Sequence, residues 1–408
     1  MESLSSHYRQ LLGLDENWNV GSVNLSMEDK RVEIALKHVG DSYVCSECSS
    51  KCGLHDHAAE RKWRHLDTMQ FETILSARIP RTNCQKCGVK TISIPWAQKH
   101  SRFTLMFEAF AIDVLLAASS VSKAAELLGL GWDAVHAIMQ RAVDRGLMQR
   151  DTESVKRIGI DEKSFGRGQD YVSLMTDLDG ARVLEVVPGR DEESVKDLWK
   201  SLPNRQIDEV EAVAIDMWQA YENSVREHAP LADIVHDKFH ISKHLNEAVD
   251  AVRRMENKAL ISEGDKTLVS TKQLWLTNPE NIHPDRKSVF EELKKQELKT
   301  ARAWAIKEQF RHFWTYCYDG FARNFFDEWY SWASRSQLKP IVKVANMLKL
   351  RLNNILTYIK HYITNALTEG FNSRIQSIKS NARGFTNFQN YRTRILFFCG
   401  KLKLKPTH

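Results

Sequence analysis

Three acids and four cysteines in this chain have the types and spacing to do chemistry. Asp161 closes the run Val155-Lys156-Arg157-Ile158-Gly159-Ile160, and Asp216 closes Glu211-Ala212-Val213-Ala214-Ile215. Both runs read as short strands rich in β-branched residues. Lying side by side, such strands bring two carboxylates to one end of a sheet. Glu369 sits in a helical stretch, on a different face from the apolar stripe Leu367, Phe371, Ile375 and Ile378. Two strand acids and one helix acid suit a pair of hard divalent cations, Mg2+ or Mn2+. Those ions activate a water or a hydroxyl on one side of a phosphate and stabilise the leaving oxygen on the other. Glu162, Asp177, Asp179 and Asp237 are rival ligands. A lone Asp at a strand end is more often a turn or cap residue, so the ordered set carries the reading.

The cysteines form two knuckles, Cys45-Ser46-Glu47-Cys48 and Cys84-Gln85-Lys86-Cys87, the second followed by Gly88. Folded together they close a tetrahedral thiolate site for structural Zn2+; the alternative is free buried cysteines. Cys52, His55 and His57 lie near the first knuckle. Each can replace one ligand, and they are read as bystanders.

Several elements must position these groups. Tyr171–Thr176 and Arg182–Val187 read as strands around Asp177-Leu178-Asp179-Gly180, whose Asp-Gly step suits a tight hairpin. A helix to about His228, a strand over 231–237 and a helix from about Phe239 follow. This order predicts a mixed α/β sheet of the ribonuclease-H-like type with helices on its faces. Residues 241–362 read as an all-helical insertion, broken near Pro279 and Pro284. Trp275, Trp304, Trp314, Trp329 and Trp332 recur there among apolar residues and are expected to be core.

Ahead of the sheet, Phe103–Ala118 reads as a helix. Ser122 is placed to cap a short second helix, Ala125 is small where helices cross, and Gly129 permits a left-handed turn. A third helix runs from Trp132 to Val143, with Val135 and Ile138 inward. This spacing matches a DNA-binding helix-turn-helix. Trp132, Asp133, His136 and Gln140 fall on its groove-facing side. Arg61, Lys62, Arg64 and Arg81 cluster in the cysteine-bearing head; they are expected phosphate contacts.

The 408 residues carry a net charge of +6, and Gly370–His408 contains no Asp or Glu. A basic tail of that kind, with Arg374, Lys379 and Arg383, is expected to meet nucleic acid. The start of the chain shows no secretion signal. The apolar stretch 105–121 is interrupted by Glu108 and Asp113 and is too short and too charged for a membrane span. The expectation is a cytoplasmic, nucleoid-associated protein with no membrane partner and no disulfides.

Read together, these residues resemble a transposase of the ISL-three group of bacterial insertion sequences. The likeness rests on the two knuckles, Ile79-Pro80-Arg81-Thr82-Asn83, the helix-turn-helix, Ile160-Asp161-Glu162-Lys163-Ser164-Phe165 and Ile215-Asp216-Met217-Trp218. It continues through His236-Asp237-Lys238-Phe239-His240, Thr368-Glu369-Gly370-Phe371-Asn372 and Ala382-Arg383-Gly384-Phe385. The resemblance implies a DDE catalytic triad at Asp161, Asp216 and Glu369. It also implies an Asp-x-x-His element at Asp237 and His240, beside the active site and holding the scissile strand or the second Asp.

The expected organisation is multidomain α+β. It comprises a zinc ribbon-like domain (1–100), a helix-turn-helix (101–150), the first part of a ribonuclease-H-like catalytic core (151–240), the helical insertion (241–362), and a last core helix with the basic tail (363–408). The expected function is DNA transposition. Its substrates are double-stranded terminal inverted repeats and target DNA, cleaved and joined with divalent metal by a homodimer or higher assembly. The alternative is a catalytically silent, transposase-derived regulator that binds DNA in a sequence-specific way.

Overall fold

The computed structural model describes residues 4–150, 153–166, 171–382 and 384–406. The chain divides into two compact units, Met1–Arg150 with Leu402–His408, and Asp151–Lys401. Each is described by itself.

The first unit opens with helix α1 (Leu4–Leu11) and strands β1 (Trp18–Ser26), β2 (Arg31–His38), β3 (Tyr43–Val44), β4 (Lys51–His57), β5 (Arg61–Thr68), β6 (Phe71–Ala77), β7 (Pro80–Cys84) and β8 (Gly88–Thr91). They form two four-stranded sheets, ordered β1-β2-β6-β5 and β3-β4-β7-β8. The first sheet covers a core in which Trp96 meets Trp18 and Trp63 edge-on, with ring centroids 4.6 and 5.6 Å apart. Three helices follow, α2 (Leu105–Ala118), α3 (Val121–Leu128) and α4 (Trp132–Arg150). Glu108 is buried in α2, where Arg141 and Arg145 of α4 and Ser101 satisfy it. The charge that breaks the apolar run therefore clamps α2 to α4. Ser120, not Ser122, holds the cap position of α3, and its side chain makes no cap bond; Ser122 is exposed in the first turn. Gly129 ends α3 with φ +63°, as its position requires. The end of the chain joins this unit: Leu402 lies against Gly146, where a Cβ would come within 2.5 Å of it.

In the second unit, β9 (Arg157–Ser164), β10 (Tyr171–Asp177) and β11 (Arg182–Pro188) precede α5 (Glu192–Lys200), α6 (Asn204–Asp208), β12 (Ala212–Ile215), α7 (Gln219–His228) and β13 (Asp233–His236). The sheet order is β11-β10-β9-β12-β13. The first three strands are antiparallel, and β9, β12 and β13 are parallel. The hairpin differs in detail from the expected tight turn. Ala181, with φ +49°, takes the left-handed position. Gly180 is needed instead for space, because a Cβ there would meet Asp177 Oδ2 at 2.3 Å.

A helical stretch runs through α8 (Lys238–Ser262), α9 (Lys272–Leu276), α10 (Pro284–Lys295), α11 (Lys299–Phe310), α12 (Asp319–Ser334), α13 (Lys339–Leu350) and α14 (Leu352–His361). It has its own core from Ile241 to Ile359. Trp275 and Trp329 are buried in that core, and Trp304 and Trp314 pack against it. Trp332 departs from the expectation and is 40% exposed. Helices α15 (Ala366–Asn381) and α16 (Phe388–Cys399) complete the unit. One face of the sheet is covered by α5 and α7, through Val195, Leu198, Trp199, Tyr221 and Val225. The other carries α14, α15 and α16.

Candidate active site and thiolate site

Strand register brings the two aspartates together. Parallel pairing sets Val213 opposite Ile158 and Ala214 opposite Gly159. Continued two residues past the paired stretch, the same register would put Asp216 level with Asp161. On the other side of β12, Ile215 pairs with His236, so Asp237 is next in the row. Side chains alternate along a strand. Asp161 therefore shares the face of Gly159, and Asp216 that of Ala212 and Ala214, which packs toward α14. Asp177 and Asp179 lie at the opposite end, because Asp177 pairs with Ile158. There they are spent on the hairpin and on Arg182 and Arg157.

Gly159 lets α15 come close. A Cβ at this position would stand 2.6 Å from Asn365 Oδ1, 2.7 Å from Thr176 Oγ1 and 2.9 Å from Thr368 Oγ1. In that space Asn365 Nδ2 donates to Ile160 O at 3.3 Å, and the Thr368 and Thr176 hydroxyls meet at 3.0 Å. One turn after Thr368, Asn372 Nδ2 donates to Asp161 Oδ2 at 2.8 Å. Glu369 stands one residue past Thr368. Its Oε1 is buried and has no hydrogen-bond partner among the described residues.

Asp237 caps α8, accepting from Phe239 N at 3.3 Å. A residue three positions past a cap returns to the same end of the helix, and His240 does so. Its Nδ1 lies 3.3 Å from Asp216 Oδ2, while Met217 N donates to Asp216 Oδ1 at 2.6 Å. His240 thus stands beside the second Asp of the expected triad.

The electrostatics are those of anions pressed together. Burial pushes the Asp161 carboxyl up, against the pull of the Glu162 N–H, His240 and Asn372. Burial likewise raises Asp237. Glu369 is raised by burial first, then by the charges of Asp237 and Asp161. Asp237 Oδ2, like Glu369 Oε1, is buried without a partner among the described residues. Unsatisfied acceptors and mutual repulsion in one cleft fit divalent cations. Among the described residues, the set of three or more potential ligand atoms within 4.8 Å of one another is the cysteine quartet, not these acids.

In the first unit, Cys45, Cys48, Cys84 and Cys87 converge within that 4.8 Å, Cys48 Sγ and Cys84 Sγ being 3.6 Å apart. Ser50, through its hydroxyl and backbone, lowers Cys48 to about 6. The N–H groups of Cys87 and Lys86 lower Cys84. Cys87 is pushed up to about 12, first by sharing a hydrogen with Cys48 and then by burial. A bound cation would displace the remaining protons and hold all four as thiolates. Cys52 stays outside the set, its thiol turned to Ser50 O at 3.3 Å, and His55 faces Asp56.

The expected DNA contacts divide. Lys62 is exposed and faces Glu33 at 3.3 Å. Arg61 bonds Ser101 O and lies over Trp63. Arg81 is engaged by Asp56. Arg64 departs from the expectation: its side chain is 13% exposed and locked to Asp67 and Glu72. Trp132 and His136 stack at 4.9 Å on the first turns of α4, and Gln140 donates to Asp144. Arg374 is exposed, and Lys379 reaches Ser164 O at 3.5 Å. Arg383 lies outside the described residues. Part of the acid-free tail serves internal structure: Arg392 grips buried Glu185 with two 2.6 Å bonds, and Lys405 pairs with Asp113.

Residues 158–395 match a family model for the ISL3 transposase, which is more than half of the chain. The chain belongs to the ISL3 family of transposases. Residues 92–143 match the helix-turn-helix domain of the same family, and residues 41–87 match the zinc finger of the IS204, IS1001, IS1096 and IS1165 transposases. The chain is 27% identical to the transposase of IS1001 from Bordetella parapertussis, over 87% of this chain and 88% of that one. It is 26% identical to the transposase of IS1557 from Mycobacterium tuberculosis, over 94% and 92%. This transposase is a DNA-cleaving and strand-transferring enzyme; its family implies divalent metal, its ribbon suggests structural metal, and its helix-turn-helix implies DNA binding. Among the described residues no helix is long and apolar enough to cross a membrane.

Sequence reasoning names Asn372 within the motif Thr368-Glu369-Gly370-Phe371-Asn372 and gives it no role. The signal available was its i, i+3 spacing from Glu369. Gly159, Thr368 and Asn365 carried no signal without the fold.

Proposed function

We propose that Asp161, Asp216 and Glu369 would together hold two Mg2+ or Mn2+ ions. The observation that supports this reading is the parallel pairing of Ala214 with Gly159, two residues before Asp216 and Asp161, under a helix close enough for Asn372 to bond Asp161. Bound there, the ions would supply Lewis-acid stabilisation and a more acidic attacking hydroxyl. Asn372 fixes the orientation of Asp161, and His240 that of Asp216. Asp237 sets the start of α8 and so the position of His240.

The reaction is two in-line displacements. Water oxygen attacks phosphorus at the end of the element, and the bond to the 3′ oxygen breaks. The freed 3′-hydroxyl then attacks a target phosphate and displaces its 3′ oxygen. Neither step needs a covalent enzyme intermediate. The ribbon, holding Zn2+ on Cys45, Cys48, Cys84 and Cys87, and the helix-turn-helix address the terminal inverted repeats. Trp132, His136 and Gln140 face the groove, while Arg61, Lys62, Arg81, Arg374, Lys379 and Arg383 meet phosphates. Two ends must be held at once, so the working form is a dimer or larger assembly on bacterial chromosomal DNA in the cytoplasm. A regulator without catalysis has no use for a buried, unpartnered Glu369 carboxylate oxygen near Asp161, which favours the enzyme over that alternative.

Calorimetric titration of Mn2+ into the protein bound to repeat DNA tests the metal site. Two ions per chain are expected for wild type and fewer for Asp161→Asn. Equal binding by the two proteins contradicts the assignment.

A further inference from the structure

We infer that Arg190 binds a DNA backbone phosphate beside the scissile one, with its guanidinium held for that contact by Tyr171 and Trp218. This rests on the proposed role of Asp161 and Asp216. Arg190 follows Gly189, where β11 ends, and that backbone is pinned. Gly189 N donates to Tyr171 O at 2.8 Å, and Ser173 Oγ donates to Gly189 O at 2.9 Å. Gly189 has φ +85°, and a Cβ on it would meet Ser194 Oγ at 2.3 Å. From this fixed start the guanidinium lies 4.2 Å from the Tyr171 ring centroid and 5.4 Å from that of Trp218. Trp218, two residues past Asp216, is 48% exposed.

The partner now facing Arg190 is weak. Glu162 offers both oxygens to one nitrogen at 3.4 Å, and both side chains are more than a third exposed, at 35% and 39%. Pairs of that kind contribute little. The arginines that serve structure in this unit are different. Arg392 grips Glu185 with two 2.6 Å bonds, and Arg182 is only 11% exposed between Asp177 and Glu153. A guanidinium stacked on aromatic faces keeps its in-plane N–H groups for a planar or tetrahedral oxyanion, and is poorly replaced by lysine. Phosphate is the anion that this enzyme brings to that end of the sheet.

Geometry makes it a flanking phosphate. Asp161 and Glu162 are neighbours on one strand and so point to opposite faces. Asp161 faces α15, where Lys163 reaches Asn372 O and Lys379 reaches Ser164 O. Glu162, with Arg190, lies on the side of Ser173 and Tyr221. A strand crossing the sheet end would meet the acids with Lys163 and Lys379 on the α15 side, and Arg190 on the opposite side.

The test is single-turnover cleavage of duplexes carrying the repeats that flank the gene, each with one methylphosphonate at a successive position around the cut. Wild type, Arg190→Ala, Arg190→Lys and Asp161→Asn are compared in Mg2+. On unmodified DNA, Arg190→Ala should cut roughly 10- to 100-fold more slowly, the range for a lost bond to a charged group, and Arg190→Lys should recover only part. At one flanking phosphate, the neutral linkage should slow wild type by a similar factor but Arg190→Ala by less than about twofold, since the interaction is already gone. Arg190→Ala cutting at the wild-type rate, or keeping the full wild-type sensitivity at every position, overturns the assignment. If Asp161→Asn is inactive in the same experiment, that failure concerns Arg190 alone. If Asp161→Asn cuts like wild type, the reading of the acids fails and the Arg190 inference with it.

Discussion

Asn372 donates its side-chain amide to Asp161 at 2.8 Å, across 211 residues of sequence. The bond ties the helix that bears Glu369 to the strand that bears the first aspartate. It also leaves Asp161 acceptor capacity for a cation, since its other named partner is the Glu162 N–H.

Asn372→Ala should therefore reduce cleavage without abolishing DNA binding. Partners that orient a metal ligand are worth roughly 10- to 100-fold in activity or metal affinity. Single-turnover rates at low and saturating Mg2+ separate the two effects. A variant that cuts at the wild-type rate at every Mg2+ concentration removes Asn372 from the account.

Gly159→Ala should push α15 off the sheet. The new Cβ falls under 3 Å from groups on Asn365, Thr176 and Thr368, two of which belong to the α15 start. Overpacking of this kind costs about 1–3 kcal/mol. Thermal unfolding should show a lower midpoint, with a larger proportional loss of cleavage, because Glu369 moves with the helix. An unchanged midpoint contradicts the close approach.

One Zn2+ per chain should co-purify with the protein, and Cys84→Ser should release it and loosen the ribbon. Metal analysis and proteolysis of the head check this. A metal-free wild-type ribbon that resists protease as well as the loaded one contradicts a structural role for the ion.

His236 supplies a pH dependence. Burial lowers its pKa to about 4, with the nearby Arg351 also lowering it and Glu222 opposing. Its ordinary value is 6.5. The unfolded chain thus takes up this proton more readily, so the stabilising contribution is complete above pH 6.5 and is lost as pH falls from 6.5 toward 4. Over one unit the effect is about 1 kcal/mol. Asp161, Asp237 and Glu369 act in the opposite sense, because their raised values favour the folded state as pH falls. The comparison is therefore wild type against His236→Gln, by urea midpoint at pH 7.5 and 5.5. Wild type should lose more stability than the variant on acidification; equal losses contradict the assignment.

What the sequence disclosed follows from which signals are local. Strands ending on Asp161 and Asp216 are visible from composition, and a knuckle such as Cys84-x-x-Cys87 is a short-range pattern. Register is not local, and neither is the space over Gly159, which exists only when α15 packs there. Charge composition hides pairing in the same way. Arg64 and Arg392 look like phosphate ligands in a list of basic residues, yet Glu72 on the neighbouring strand and Glu185, 207 residues away, engage them. The cap of α3 was misplaced by two residues because Ser120 and Ser122 both suit the position, and neighbouring backbone decides between them.

The most direct test of the central claim is Mg2+- or Mn2+-dependent cleavage of DNA carrying the repeats that flank this gene. Wild type is run beside Glu369→Gln, and end binding is measured in both. The expected result is nicking at the repeat boundary by wild type alone, with equal binding by the two proteins. Nicking by Glu369→Gln at the wild-type rate, or binding by both with cleavage by neither in either metal, would contradict the triad.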